Sequence, residues 1–253
     1  MAADLVRHKV DVIVTDSTPG GQAVKHATST IPVVMAVVGD PVGSGLVPSL
    51  THPSGNVTGF SVMAAALSAK RLQLLKETIP RLTRLAVLWN PDTRWHLKAV
   101  EDLKEVAPSL SIELSLVSSR TPEQFTSAFS AINRVHAQAL CVLDDAQSVV
   151  HRRALVKLAS IAKLPDIYGE RHFADEGGLM SYGANYPDHW RRAAGYVDKI
   201  LKGAKPVDLP IQQPNKFVRY WGKIWGKNIR EIQTNEIVSK AHSKLARSAG
   251  RAI

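Results

Sequence analysis

Val33-Val-Met-Ala-Val-Val-Gly-Asp-Pro-Val-Gly-Ser-Gly-Leu46 joins six consecutive apolar residues to a loop made of turn formers. An apolar run of that length, rich in β-branched residues and closed by glycine, reads as a strand buried on both faces, as strands of parallel sheets are. Further short segments rich in Val, Ile and Leu lie at residues 10–15, 56–61, 84–89, 111–117, 139–143 and 179–182. Between them apolar residues recur every three or four positions: Leu72, Leu75 and Ile79; Leu97, Val100, Leu103 and Val106; Phe125, Phe129 and Ile132; Val150, Ala154, Leu158 and Ile161; Trp190, Ala194, Val197 and Leu201. Each set predicts one apolar helix face. Helix starts are signalled at Asn90-Pro91-Asp92 and Thr121-Pro122-Glu123, where a cap residue precedes proline at the first helical position. Strand–helix alternation of this kind predicts an α/β chain whose parallel sheets are covered by helices on both faces.

Outward from the opening strand, the alternation pauses between Gly39 and Gly59. The stretch Gly39-Asp-Pro-Val-Gly-Ser-Gly45 is followed by His52-Pro-Ser-Gly-Asn-Val-Thr-Gly59, both dense in turn residues. Loops at strand ends of an α/β sheet are where ligands bind, although a plain connector would have the same composition.

The chain has 253 residues, 45% apolar and 21% charged, with a formal net charge of +10. Those values exclude a disordered, collagenous or disulfide-dense chain. Cys141 is the only cysteine, which excludes an internal disulfide, a CxxC redox pair and a cysteine-rich zinc site, and leaves the redox compartment open. No apolar run reaches the ~18–20 residues of a membrane span, and Met1-Ala-Ala-Asp is not the opening of a secretory signal. The basic excess is local. Residues 218–253 hold eight Lys/Arg against two Glu, whereas the preceding 217 residues hold 24 basic and 20 acidic side chains. The body is therefore nearly balanced, and no nucleic-acid partner is expected.

Catalytic signatures are missing: the sequence has no GxSxG, GxxxxGK[ST] or HExxH motif and no GxGxxG after a strand. The histidines are scattered, with no i, i+4 pair for a metal. Asp144-Asp145 follows a strand end, where neighbouring side chains point in different directions. One of them serving as counter-charge for a ligand ammonium, or as a helix cap, is favoured over acid–base catalysis.

Several stretches together resemble a known family. Val10-Asp-Val-Ile-Val with Ser17-Thr-Pro19, Ala27-Thr-Ser-Thr-Ile-Pro-Val-Val34, Gly39-Asp-Pro-Val-Gly-Ser-Gly-Leu46, Pro53-Ser-Gly-Asn-Val-Thr-Gly59, Leu88-Trp-Asn-Pro91 and Gly177-Gly-Leu-Met-Ser-Tyr-Gly183 are similar to ABC-transporter substrate-binding proteins whose better-known members bind aromatic amino acids. The resemblance implies a type I periplasmic-binding fold, with two α/β lobes that close over a small amino-acid-like or aromatic solute and present it to an ABC permease. It implies no catalysis, cofactor or metal, and a periplasmic or cell-surface location. Lobe one is expected from residues 1–61 and 184–217, lobe two from 62–183, with hinges near Gly59 and Gly183. Ligand contacts are expected from Ser17, Thr18, Asp40 and Pro41 on lobe one, from Asn90 and Asp145 on lobe two with Asp144 as the alternative acid, and from Tyr182 at the return hinge. A ligand-sensing domain of a regulator with the same fold is the alternative function, and an enzyme on a doubly wound sheet is the third.

The same resemblance implies two irregularities. A strand, a helix and another strand would precede the helix near Ala2, so lobe one is expected to be incomplete, with an exposed sheet edge. After Phe217, residues 218–253 are expected to form an atypical basic tail, the product of a shifted reading frame or a replaced C-terminus. Within it Trp221, Trp225, Ile229 and Ile232 recur at helical spacing beside Lys223, Lys227 and Arg230, an amphipathic pattern opposed by Gly222 and Gly226 at ~1 kcal/mol each.

Overall fold

The computed structural model describes residues 1–53 and 55–222. The chain runs α1 (Ala2–Arg7), β1 (Ile13–Thr15), α2 (Thr18–Ala27), β2 (Val33–Val38), β3 (Val57–Ser61), α3 (Ala66–Thr78), β4 (Arg84–Trp89), α4 (Arg94–Val106), β5 (Glu113–Ser118), α5 (Phe125–Arg134), β6 (Ala139–Val142), α6 (Ala146–Val150), α7 (Arg152–Ile161), β7 (Asp166–Tyr168), α8 (Arg171–Asp175), β8 (Met180–Ala184), α9 (Tyr186–Leu201) and β9 (Phe217–Trp221). Strands β1-β2-β3 form a parallel sheet in the smaller lobe, and β5-β4-β6-β7-β8-β9 form the sheet of the larger one. Among the described residues only the β8–β9 pair is antiparallel.

Side-chain alternation explains the layers. In β4, Leu85 and Val87 pack with Leu72 and Leu75 of α3 and Leu103 of α4, while Ala86 and Leu88 face Phe129 of α5 and Leu155 of α7. A strand covered on both sides has no polar face, which is why it reads as a continuous apolar run. The smaller lobe repeats the arrangement around β2. Val34 and Ala36 join the cluster containing Ala193, Tyr196 and Ile200 of α9, while Val33 and Met35 join Val24 of α2 and Leu46. Helix α9 thus covers the smaller sheet although the strand before it belongs to the larger one. Phe60 fixes this seat, with its ring centroid 5.0 Å from that of Tyr196 and 5.6 Å from that of His189.

The chain crosses between lobes at residues 62–65, at Asn185 and again at residues 213–216. The last crossing was not expected from the sequence. Gln212 is bridged to Phe60, Ile211 is buried with the smaller lobe, and the Asn185 amide donates to the Lys216 carbonyl at 3.1 Å. The segment then enters β9, which pairs with β8 from Ala184↔Phe217 to Met180↔Trp221. Residues 218–221, expected to begin a tail unrelated to the fold, therefore continue a strand of the larger sheet. Their basic and aromatic composition suits an edge strand with a solvated side. The remainder of the expected amphipathic pattern lies outside the described residues.

Other expectations shift in detail. The first strand spans only Ile13–Thr15, and the fifth starts at Glu113 because Ser111 adopts a left-handed conformation (φ 54°). Strand β7, Asp-Ile-Tyr, was not anticipated, being three residues long with an acid at its head. Gly59 and Gly183, near which the hinges are expected, lie in β3 and β8 shortly before the crossings at residues 62–65 and Asn185. A Cβ on Gly59 would lie 2.2 Å from the Met35 carbonyl oxygen, and one on Gly183 would lie 2.1 Å from that of Gly169. Both sit within strands, where the missing side chain permits close backbone approach. At the other side of the smaller sheet, β1 has no outer neighbour among the described residues, and Val14 is 41% exposed there.

Candidate functional site

The carboxyl ends of the strands of both sheets converge on one cleft of about 750 Å³, the position where open α/β sheets bind ligands. From the smaller lobe it receives the β1–α2 loop with Ser17 and Thr18, and Gly39 after β2. From the larger lobe come Asn90 after β4, Asp144 and Asp145 after β6, and Glu170 after β7. Trp95, Tyr186 and Trp190 give it aromatic walls, and Arg71 reaches it from α3.

Ser17 is the N-cap of α2: its Oγ accepts from the Gly20 amide at 3.2 Å, and Pro19 occupies the first turn. Thr18 follows directly and lines the cleft at the positive end of the helix. Asp40 and Pro41, by contrast, do not line it. The Asp40 carboxylate accepts from the amides of Val42 (3.2 Å) and Gly43 (2.9 Å), so it closes its own turn, and the Pro41 carbonyl accepts from Leu46 at 2.9 Å. Their neighbours Gly39 and Ser44 are the residues that reach the cleft. Tyr182 also turns away, its ring stacked on Phe217 with centroids 6.2 Å apart.

On the larger lobe, Asn90 and Asp145 hold each other. Asn90 Nδ2 donates to Asp145 Oδ2 at 2.9 Å, Thr93 Oγ1 donates to the same oxygen at 3.2 Å, and Asn90 Oδ1 accepts from the Asp92 amide at 3.0 Å. The other carboxylate oxygen of Asp145 accepts from the Ser148 amide at 2.8 Å, one half of a capping box that starts α6. The helix-cap alternative for the acid pair is thus realised at Asp145, and both its oxygens are occupied. Asp144 differs: its Oδ1 is buried with no hydrogen-bond partner. Burial pushes its carboxyl up to about 7, with the Arg71 charge pulling it down and Glu170 raising it further.

His96 braces this loop from beneath. It is fully buried, its Nδ1 accepts from the Asn90 amide at 3.0 Å, and its Nε2 faces the Asp144 carbonyl at 3.4 Å. Burial drives its pKa down to about 4, so the ring is neutral around pH 7. Beside it Trp95 spans the cleft. The indole Nε1 lies 2.8 Å from where a Cβ on Gly39 would sit, so only glycine there lets the larger lobe's tryptophan approach the smaller lobe's loop.

The sequence reading passed over Arg71, Trp95, Tyr186 and Trp190. Arg71 was nevertheless detectable. It lies four residues after Leu67 and four before Leu75 on the buried face of α3, where a charged residue is out of place. It is only 3% exposed, its Nε donates to the Tyr182 carbonyl at 2.8 Å, and its Nη1 is buried without a partner. Among the described residues no group of three His, Cys, Asp or Glu side chains is arranged to hold a metal ion.

The sequence profile of the family described as ABC transporter substrate binding protein matches residues 1–244, a span that includes much of the segment expected to be foreign to the fold. A tyrosine-binding protein of Clostridioides difficile is 30% identical over 212 residues, 83% of this chain; the chain spans 60% of that relative's length. Among solved structures, a conserved domain protein of Vibrio cholerae superposes with a TM-score of 0.82 at 29% identity, covering 90% of this chain and 76% of the other. An ABC domain from Streptococcus pneumonia in complex with L-Trp gives 0.81 at 25% identity, covering 90% and 78%.

Proposed function

The chain belongs to the ABC transporter substrate-binding protein family, and from that premise we propose that it captures a small amino-acid-like or aromatic solute between its lobes. The closed form is then presented to a membrane permease of the ABC type, outside the cytoplasm. The family binds solutes and does not transform them, so no reaction is assigned to the cleft.

One observation carries the solute class. The cleft combines aromatic walls from Trp95, Tyr186 and Trp190 with the Arg71 guanidinium, whose Nη1 is buried without a hydrogen-bond partner. Its volume of about 750 Å³ is in the range of small-molecule sites, and the pairing of apolar walls with a few polar anchors is how such sites select. The names of the relatives, one tyrosine-binding and one solved with L-Trp, support the same class.

A thermal-shift screen of the chain against the twenty amino acids, aromatic acids, nucleosides and sugars tests the reading. A cognate solute at 100 times its Kd adds ~2.7 kcal/mol, which raises Tm by roughly 5 to 10 °C in a chain of this size. An unchanged Tm across the whole panel would overturn the proposal.

A further inference from the structure

We infer that His189 is an acid-sensitive seat for α9: with its ring uncharged the helix lies on the smaller sheet, and with the ring protonated the first turns of α9 lift, withdrawing Tyr186 and Trp190 from the cleft wall. The seat is a property of the chain alone, and its effect on a solute rests on the solute-binding reading above.

His189 is where the start of α9 meets the smaller sheet. It is 1% exposed, and its ring centroid lies 5.6 Å from that of Phe60 on β3. Among the described residues neither of its ring nitrogens has a hydrogen-bond partner. A buried polar side chain with no partner at all is uncommon, and this one tolerates a single charge state. The neutral ring packs as an aromatic, whereas the imidazolium brings a second donor and a full charge into a site with no acceptor placed for either.

The surroundings oppose that charge. Arg192, on the next turn, lays its guanidinium over the Phe60 ring at 4.8 Å, and its Nη1 is itself buried without a partner. Asp188 is the acid of this turn, but Lys216 holds its Oδ1 at 3.0 Å, while Arg191 and Arg192 each stand 3.7 Å from one of its oxygens. The sheet offers the Phe60 ring and the Ala36 backbone, neither of them charged. Burial first, and then the Arg192 charge, hold the histidine below its ordinary pKa against the Ala36 backbone and the Asp188 charge.

Position along the helix links this seat to the cleft. At 3.6 residues per turn, Tyr186 and Trp190 stand about 60° and 100° round α9 from His189, on the same side. Both line the cleft, and His189 does not. It is therefore a positioning residue, which fixes where two aromatic side chains stand. Once the first turns leave the sheet the ring regains its ordinary pKa and binds a proton below about 6.5. The seat is complete above that pH and weakens as pH falls toward the lower value of the seated ring.

The test compares the full chain with His189→Phe and His189→Gln, neither of which can be protonated there, each protein being measured against itself at pH 7 and pH 5. Without solute, hydrogen exchange of the amides of residues 189–193 is followed and corrected for the intrinsic effect of pH. Protection should fall roughly tenfold at pH 5 in the unaltered chain and less than about threefold in the variants. No fall in the unaltered chain, or an equal fall in all three proteins, overturns the inference. Calorimetry with L-tyrosine and L-tryptophan then reads the wall. Affinity for whichever binds should drop roughly three- to tenfold more on acidification in the unaltered chain than in the variants. His96 and Asp144 are present in all three proteins, so their titration cancels in that comparison. An equal drop in chain and variants overturns the withdrawal of the wall. Should neither variant fold, the His189 ring resonances of the unaltered chain decide, and titration at the ordinary value overturns the inference. Binding of neither amino acid, with the exchange effect present, leaves the seat standing and counts against the solute reading alone.

Discussion

His96 and Asp144 meet at one backbone carbonyl and titrate in opposite senses. For His96 the folded pKa of about 4 lies below its ordinary 6.5. Its contribution to stability is complete above pH 6.5 and is lost as pH falls toward 4, because the unfolded chain then binds the extra proton. For Asp144 the folded value of about 7 lies above 3.8, so the ligand-free protein loses stability as pH rises from about 4 to 7. The charged and titratable groups around that carboxyl are Arg71, Glu170, Tyr186, Tyr168 and Cys141. Calorimetric melting against pH should show Asp144→Asn flattening the loss between pH 4 and 7, and His96→Gln flattening the loss below 6.5. At this scale the sequence was half legible. Adjacency of Asp144 and Asp145 showed that a strand end carried two acids, but strand alternation sends them different ways, and only the Asn90, Thr93 and Ser148 contacts assign the cap to Asp145. Ser17 was legible because a Ser-Thr-Pro start is a local signal. Arg71 stood out as a charge on an apolar helix face, but its partner, a carbonyl 111 residues away, is encoded by no local pattern.

At the level of elements, short helices and close-packed strands depend on single residues. Helix α6 spans five residues, and its cap also holds the Asn90 loop. Asp145→Ala should cost ~1–2 kcal/mol, read as a lower urea midpoint with an unchanged slope. Gly59→Ala should cost more, about 3 kcal/mol or above, because the new Cβ meets backbone, not a movable side chain, and φ is +132°. Strand β9 makes a third case. Ending the chain after residue 216 removes the pairing along β8 and bares its edge, so the shortened protein should melt lower and associate in light scattering where the full chain does not. Buried strands and amphipathic helices were legible from apolar rhythm, as in Val33–Val38 and the face of α4. Strand β7 was too short, and β9 too basic, for that rhythm to exist; tertiary pairing makes both strands, as it overrides propensity elsewhere.

On the whole molecule, helix-covered parallel sheets followed from alternating strands and helices and the two lobes with their cleft from the family resemblance, whereas the full path between lobes followed from neither. The sequence offered glycines as hinges, and composition alone cannot distinguish a glycine that moves from one that lets two backbones touch. Gly59 and Gly183 let two backbones touch. Under the proposed closure of the lobes, bending is expected beside them, at residues 62–65 and Asn185, and at 213–216. Small-angle scattering should record a smaller radius of gyration with saturating solute, and Gly183→Ala should lower stability without restoring the open dimensions of a solute-bound sample.

Met63, in the first crossing, has φ +54°, a conformation that side chains other than glycine's seldom adopt, and its amide donates to Ser61 Oγ at 3.2 Å. The linker from β3 to α3 is thus wound against a slight bias. Met63→Gly, which relieves that bias at a residue outside the cleft lining, is expected to shift apparent solute affinity in calorimetry by changing the cost of bending the linker.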